Sequence, residues 1–86
     1  MTHCLKTEPV FFKDIVSGIK TFEVRKFDRD FKEGDPLLLQ EYDPEKQAYT
    51  GNEWSGSITY LFTDPKYVKK DFCILGIKEQ EIIKFV

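Results

Sequence analysis

Apolar positions along the chain switch between two periods, and the switches mark its elements. His3-Cys4-Leu5-Lys6 alternates as a short strand does, with His3 and Leu5 sharing one face. Phe11, Phe12, Ile15 and Val16 then recur at helical spacing, with Lys13 and Asp14 pointing outward, which predicts a short amphipathic helix. Pro9 suits the first turn of that helix, Thr7 is its candidate cap and Gly18 its stop. Over residues 20–26 the period returns to two. Phe22 and Val24 form the core side of this strand, and Thr21, Glu23 and Arg25 the opposite side. Lys20 shares the parity of Phe22, so its stem is expected at the rim of the core with its amine free.

Residues 27–31 are too charged for a core strand and read as a loop, closed by the turn signal Gly34-Asp35-Pro36. Residues 37–42 are a strand, 43–46 a turn and 48–50 a short return strand, after which Gly51 and Asn52 break the pattern. Residues 54–62 alternate again through Ile58, Thr59, Tyr60 and Leu61 until Thr63-Asp64-Pro65 ends the run. A polar connector or helical turn follows at 66–71, then the most apolar strand at 72–78. Ile82, Ile83, Phe85 and Val86 predict a last strand. With no repeat or linker, this describes a single α+β domain over residues 1–86. Five to six mostly antiparallel strands curve into a small β-barrel beside one early amphipathic helix.

Length and composition narrow the picture further. A chain of 86 residues has one core, and at this size buries roughly 60–65% of its unfolded surface. Eight Phe, four Tyr and Trp54 make that core feasible without disulfides or a metal. No stretch approaches the ~20 apolar residues of a membrane span, and the start lacks a signal-peptide pattern, so a soluble cytoplasmic protein is expected. A formal net charge of −2 removes the simplest case for non-specific nucleic-acid binding. Any polyanion contact has to be local. Lys20, Arg25, Lys26, Arg29 and Lys32 do cluster, interleaved with Glu23, Asp28, Asp30 and Glu33. Mixed signs suit either selective recognition or a solvated surface.

The inventory of reactive groups excludes several chemistries. Cys4 and Cys73 lie far apart in apolar segments and read as buried free thiols. With His3 as the only histidine and no C-x-x-C spacing, the ligand supply for a metal runs out. Adjacent strand residues face opposite ways, so His3 and Cys4 cannot form a nucleophile and base pair. Triphosphate loops, dinucleotide loops and nucleophile elbows are all missing, and no cofactor is implied. His3 beside Leu5 reads as a hydrogen-bonded core side chain, and Lys6 as solvated or aimed at a ligand from near the helix start. Lys20 reads as a snorkelling side chain or as an amine at a cavity mouth. Tyr42, Tyr49 and Trp54 suit base stacking or, more commonly, core and hairpin packing.

Gly18-x-Lys20-x-x-Glu23-x-Arg25 resembles the G-x-K-x-x-E-x-R signature of ASCH domains, small barrels of the PUA-like superfamily. His3-x-Leu5-Lys6, Asp28-Arg29-Asp30-Phe31, Gly34-Asp35, Glu41-Tyr42-Asp43-Pro44 and Tyr49-Thr50-Gly51 extend the resemblance to a compact, DUF3850-type branch found in phage and bacterial genomes. The resemblance implies a cleft beside the early helix, lined by Lys20, Glu23 and Arg25, that binds RNA or a modified nucleotide. His3, Lys6 and Arg29 match only the narrower pattern and are secondary ligand-binding candidates.

Some ASCH-like proteins hydrolyse acylated cytidine. They resemble this chain at Lys20, but carry threonine where Glu23 stands and take a catalytic carboxylate from a helical insertion longer than residues 64–71. The expectation is therefore a binding module for RNA or a nucleotide, with no catalytic residue assigned. Glu23 would accept from base N–H groups, while Lys20 and Arg25 would meet phosphate or carbonyl oxygens. A small amidohydrolase, or a phage regulatory module docking a protein through residues 28–33, are the alternatives.

Overall fold

Five strands and one short helix emerge from this alternation in a computed structural model that describes residues 1–80. The order is β1 (His3–Thr7), α1 (Pro9–Val16), β2 (Phe22–Lys26), β3 (Pro36–Asp43), β4 (Ala48–Phe62) and β5 (Phe72–Glu79). All five strands form one mixed sheet in the order β1-β3-β4-β5-β2. β1 pairs parallel with β3, and the other neighbours are antiparallel. The sheet curls strongly into a half-barrel, giving a small α+β domain whose one early helix fills the concave side. The strand expected over 82–86 lies outside the described residues.

The core is the inner face of the curl. Leu5, Leu37, Leu39, Trp54, Ile58, Cys73, Leu75 and Ile77 meet Phe12 and Ile15 of α1 there. A register shift between Ile58 and Tyr60 brings both Ile58 and Leu61 inward, which bends β4. Phe31 from the loop between β2 and β3 plugs the interior, its ring 4.8 Å from that of His3. That loop is charged along its length but not solvated throughout.

Several expectations change. Gly51 and Asn52 do not interrupt a strand, because β4 runs unbroken through them. Gly51 takes φ +96°, open to glycine without strain, and Asn52 N–H donates to Thr50 Oγ1. Only Phe12 and Ile15 of the helix are buried, while Phe11 and Val16 are exposed. Phe11 and Phe12 are neighbours about 100° apart on the helix, so one side chain points into the core and the other away. Thr7 does not cap α1. It ends β1, and Glu8 holds the N-cap position without a side-chain bond. Cys4 is exposed, since its parity on β1 is opposite to that of His3 and Leu5.

The largest correction concerns β2, which begins at Phe22 rather than Lys20 and is turned over relative to the expectation. Glu23 is 4% exposed, whereas Phe22 is 45% and Val24 54% exposed. In the ladder Glu23 pairs with Leu75 and Arg25 with Cys73, both inward residues of β5. Directly paired residues share a face, so β2 presents its charges to the interior and its apolar side chains to solvent.

Candidate functional site

β1 and β2 are the two free edges of the curled sheet, and the site lies along the seam between them. A polar cluster spans this seam where a closed barrel would have a hydrogen-bonded ladder. Glu23 is its anchor. Its Oε1 accepts from Lys20 Nζ at 2.7 Å, and its Oε2 accepts from Arg25 Nε at 2.8 Å, with Arg25 Nη2 at 2.7 Å. The same Nη2 donates across the seam to the Lys6 carbonyl at 2.8 Å and to Thr7 Oγ1 at 3.1 Å. Arg25 Nη1 takes no part in these bonds. One guanidinium therefore ties β2 to β1.

Local chain geometry puts each group in place. Gly18, at φ +83°, ends α1, and Lys20 N–H returns to the Asp14 carbonyl, turning the chain back toward the helix. From there Lys20 Nζ reaches both Glu23 and the Phe22 carbonyl, the latter at 2.6 Å. It also lies 4.7 Å from the Phe22 ring centroid and 5.5 Å from that of Phe11. The Lys20 amine is thus engaged, not free, because Glu23 occupies the inward side. Burying Glu23 is tolerable since two cations neutralise it and both its oxygens are hydrogen-bonded.

Around this cluster opens a cleft of about 570 Å³, lined among others by Glu8, Phe11, Lys20, Phe22, Val24 and Arg25. Lys6, Thr7, Glu23 and Lys26 complete its lining. One wall is apolar and exposed, and the floor is the charged cluster. Beside it lies a second cavity of about 350 Å³, which shares Lys6, Arg25 and Lys26 with the first and adds Asp28, Arg29, Phe31, Gln40 and Tyr49. Lys6 Nζ sits 4.3 Å from the Tyr42 ring centroid, and Tyr42 packs edge-on against Tyr49.

The chain matches, over residues 2–77, a family model described as a domain of unknown function, DUF3850. The chain belongs to the DUF3850 family. The matched span contains the seam and both cavities, so the cluster is part of the DUF3850 region. A comparison with curated proteins gave no match.

Lys20, Glu23, Arg25 and Lys6 thus come together in this DUF3850 domain, whereas His3 and Arg29 stand apart from the first cleft. His3 is buried, its Nε2 2.7 Å from Asp35 Oδ2, so it is a satisfied core histidine. That hydrogen bond, with a further one from the Lys32 N–H, holds the Asp35 carboxyl below its ordinary value. Arg29 borders the second cavity and a third hollow with His3 and Asp35. Trp54 is buried in the core rather than available for stacking. Among the described residues no group of three or more His, Cys, Asp or Glu is placed to hold a metal ion, and no helix is long and apolar enough to cross a membrane.

Sequence reasoning missed Phe11, Phe22 and Val24 as cleft residues by assigning them to the core. One signal was available. Placing Phe22 and Val24 inside would leave the signature carboxylate on the outer face, and a shared parity for Glu23 and Arg25 is equally compatible with an inward charged pair.

Proposed function

We propose that this DUF3850 domain binds a nucleotide or an exposed RNA base in the cleft at the seam. One observation carries the reading: an exposed aromatic wall, Phe22 with Phe11, stands directly against fixed cations, Lys20 and Arg25, inside one cleft. A planar base stacks on such a ring, and its carbonyl or phosphate oxygens find donors close by, the Lys20 amine lying over one face of Phe22 at 4.7 Å from its centroid. The Gly18-x-Lys20-x-x-Glu23-x-Arg25 resemblance to ASCH domains of the PUA-like superfamily supports the same ligand class.

Glu23 takes a different role here from the one its sequence position suggested. With both oxygens already accepting from Lys20 and Arg25, it positions those cations rather than reading base N–H groups. Hydrolysis of acylated nucleosides finds less support. Thr21 is exposed and outside the cleft lining, and residues 63–71 form turns where the hydrolases carry a helical insertion. The protein-docking alternative loses part of its surface, because Phe31 is buried and Glu33 is spent on the Leu61 N–H.

Calorimetric titration with the four ribonucleoside monophosphates and short single-stranded RNA tests the proposal. Saturable binding is expected, weakened roughly 5–150-fold by Phe22→Ala, the range for loss of one stacked base. Phe22 is surface-exposed, so this variant keeps its fold. Absence of binding across the panel, or unchanged affinity in Phe22→Ala, overturns it.

A further inference from the structure

We infer that the ligand of this domain is a phosphodiester-linked strand of two or more nucleotides, with the second cavity taking the linking phosphate and the neighbouring nucleotide. This rests on the base-binding reading of the first cleft and extends it into the neighbouring cavity. The two cavities are contiguous: Lys6, Arg25 and Lys26 line both. Beyond that shared wall, the second cavity adds Arg29 as a fourth cation, against Asp28 as its one carboxylate. Such a surplus of positive charge stands out on a chain of net charge −2. A nucleoside monophosphate carries its charge on one phosphate group, for which Lys20 and Arg25 of the first cleft suffice. Arg29, the one cation that the second cavity adds to the three shared ones, has a partner to meet if negative charge continues there.

The aromatic placement follows the same order. Phe22 offers a ring in the first cleft and Tyr49, 53% exposed and braced edge-on by Tyr42, offers one in the second. Lys6, whose amine lies 4.3 Å from the Tyr42 centroid and 5.6 Å from that of Tyr49, and Arg25 line both cavities. Aromatic platforms separated by cations are how single strands are held without sequence readout. Arg29, whose guanidinium carbon lies 5.9 Å from the Phe31 ring centroid, can leave that contact to turn toward a phosphate. Its Nε is 3.9 Å from Asp28 Oδ1, a loose pair, and its side chain is 43% exposed.

The test titrates the protein with uridine monophosphate, tetrauridylate and the deoxy tetranucleotide across a salt series, repeated with Arg29→Ala and Tyr49→Ala. Either tetranucleotide, or both, is expected to bind about tenfold or more tighter than the monophosphate, the gain from one further stacked base. Arg29→Ala is expected to shrink that advantage several-fold and to flatten the slope of log K against log salt by ~0.7, one released phosphate contact on a single strand. Cys4 lines the second cavity, so the strand should slow its alkylation while the monophosphate does not. Equal affinities for monophosphate and strand overturn the inference but leave the base-binding reading intact. So does a strand advantage that neither variant reduces. No binding of either ligand overturns both.

Discussion

Glu23 is a buried carboxylate that completes its hydrogen bonding with groups from its own chain segment, Lys20 and Arg25, and only through Arg25 reaches β1. Removing its charge strands two cations at once. Loss of one partner from a buried pair costs ~3–5 kcal/mol; Lys20 and Arg25 keep 17% and 21% side-chain exposure, so water recovers part of this. Glu23→Gln is therefore expected to lower stability by about 2–3 kcal/mol, a fall of roughly 10–20 °C in Tm for a domain this size. Thermal unfolding by circular dichroism reads it directly, and a variant as stable as the wild type would show the pair to be idle. The same residue explains where sequence reasoning failed. Alternation correctly grouped Glu23 with Arg25 and Phe22 with Val24, but hydrophobicity alone chose which pair went inside. The choice is reversed where local partners neutralise the charge, a conflict expected at functional sites. His3 was legible for the opposite reason, since a lone histidine beside Leu5 reads as a hydrogen-bonded core side chain, and Asp35 supplies the partner of its Nε2.

At the scale of elements, strands with one dominant apolar face were legible nearly to the residue: β3 through Leu37 and Leu39, and β5 through Cys73, Leu75 and Ile77. β4 was not, because its first half packs on one neighbour only and carries glycine and asparagine among exposed residues. Its second glycine has a specific duty. A Cβ on Gly56 would run into the Lys78 carbonyl and the Trp54 ring, so the inner face of β4 is closed by the indole folded over a bare backbone. Gly56→Ala is expected to cost about 1–3 kcal/mol or more through overpacking against a backbone atom that cannot move aside. Urea denaturation should show a lower midpoint at an unchanged m-value, whereas unaltered stability would mean that the β5 backbone and the indole both yield without cost. Long-range pairing was the least legible feature at this scale. Nothing in the pattern of β1 announces that its neighbour is the parallel β3, or that β2 lies at the other edge of the sheet.

For the whole molecule, the sheet order places β5 between β4 and β2, where Cys73 is fully covered. Burial, with a smaller push from the Asp28 charge, raises the Cys73 thiol above its ordinary value, so little thiolate forms while the side chain stays covered. Cys4 is exposed on β1. A thiol reagent at mildly alkaline pH should therefore take up one equivalent quickly and the second only at the rate of global unfolding, slowing as stability rises. Equal rates for the two cysteines would place a local opening at β5, beside the edge strand β2. The strand order also has a consequence for biosynthesis. β1 finds its partner in β3 soon after both are made, but β2, made second, has no partner until residues 72–79 emerge. A nascent chain or premature stop product must therefore carry Lys20, Glu23 and Arg25 without the ladder that fixes them. The charged cluster, written early in the sequence, is assembled only after β5 has been made, so only a chain extended through β5 can present it.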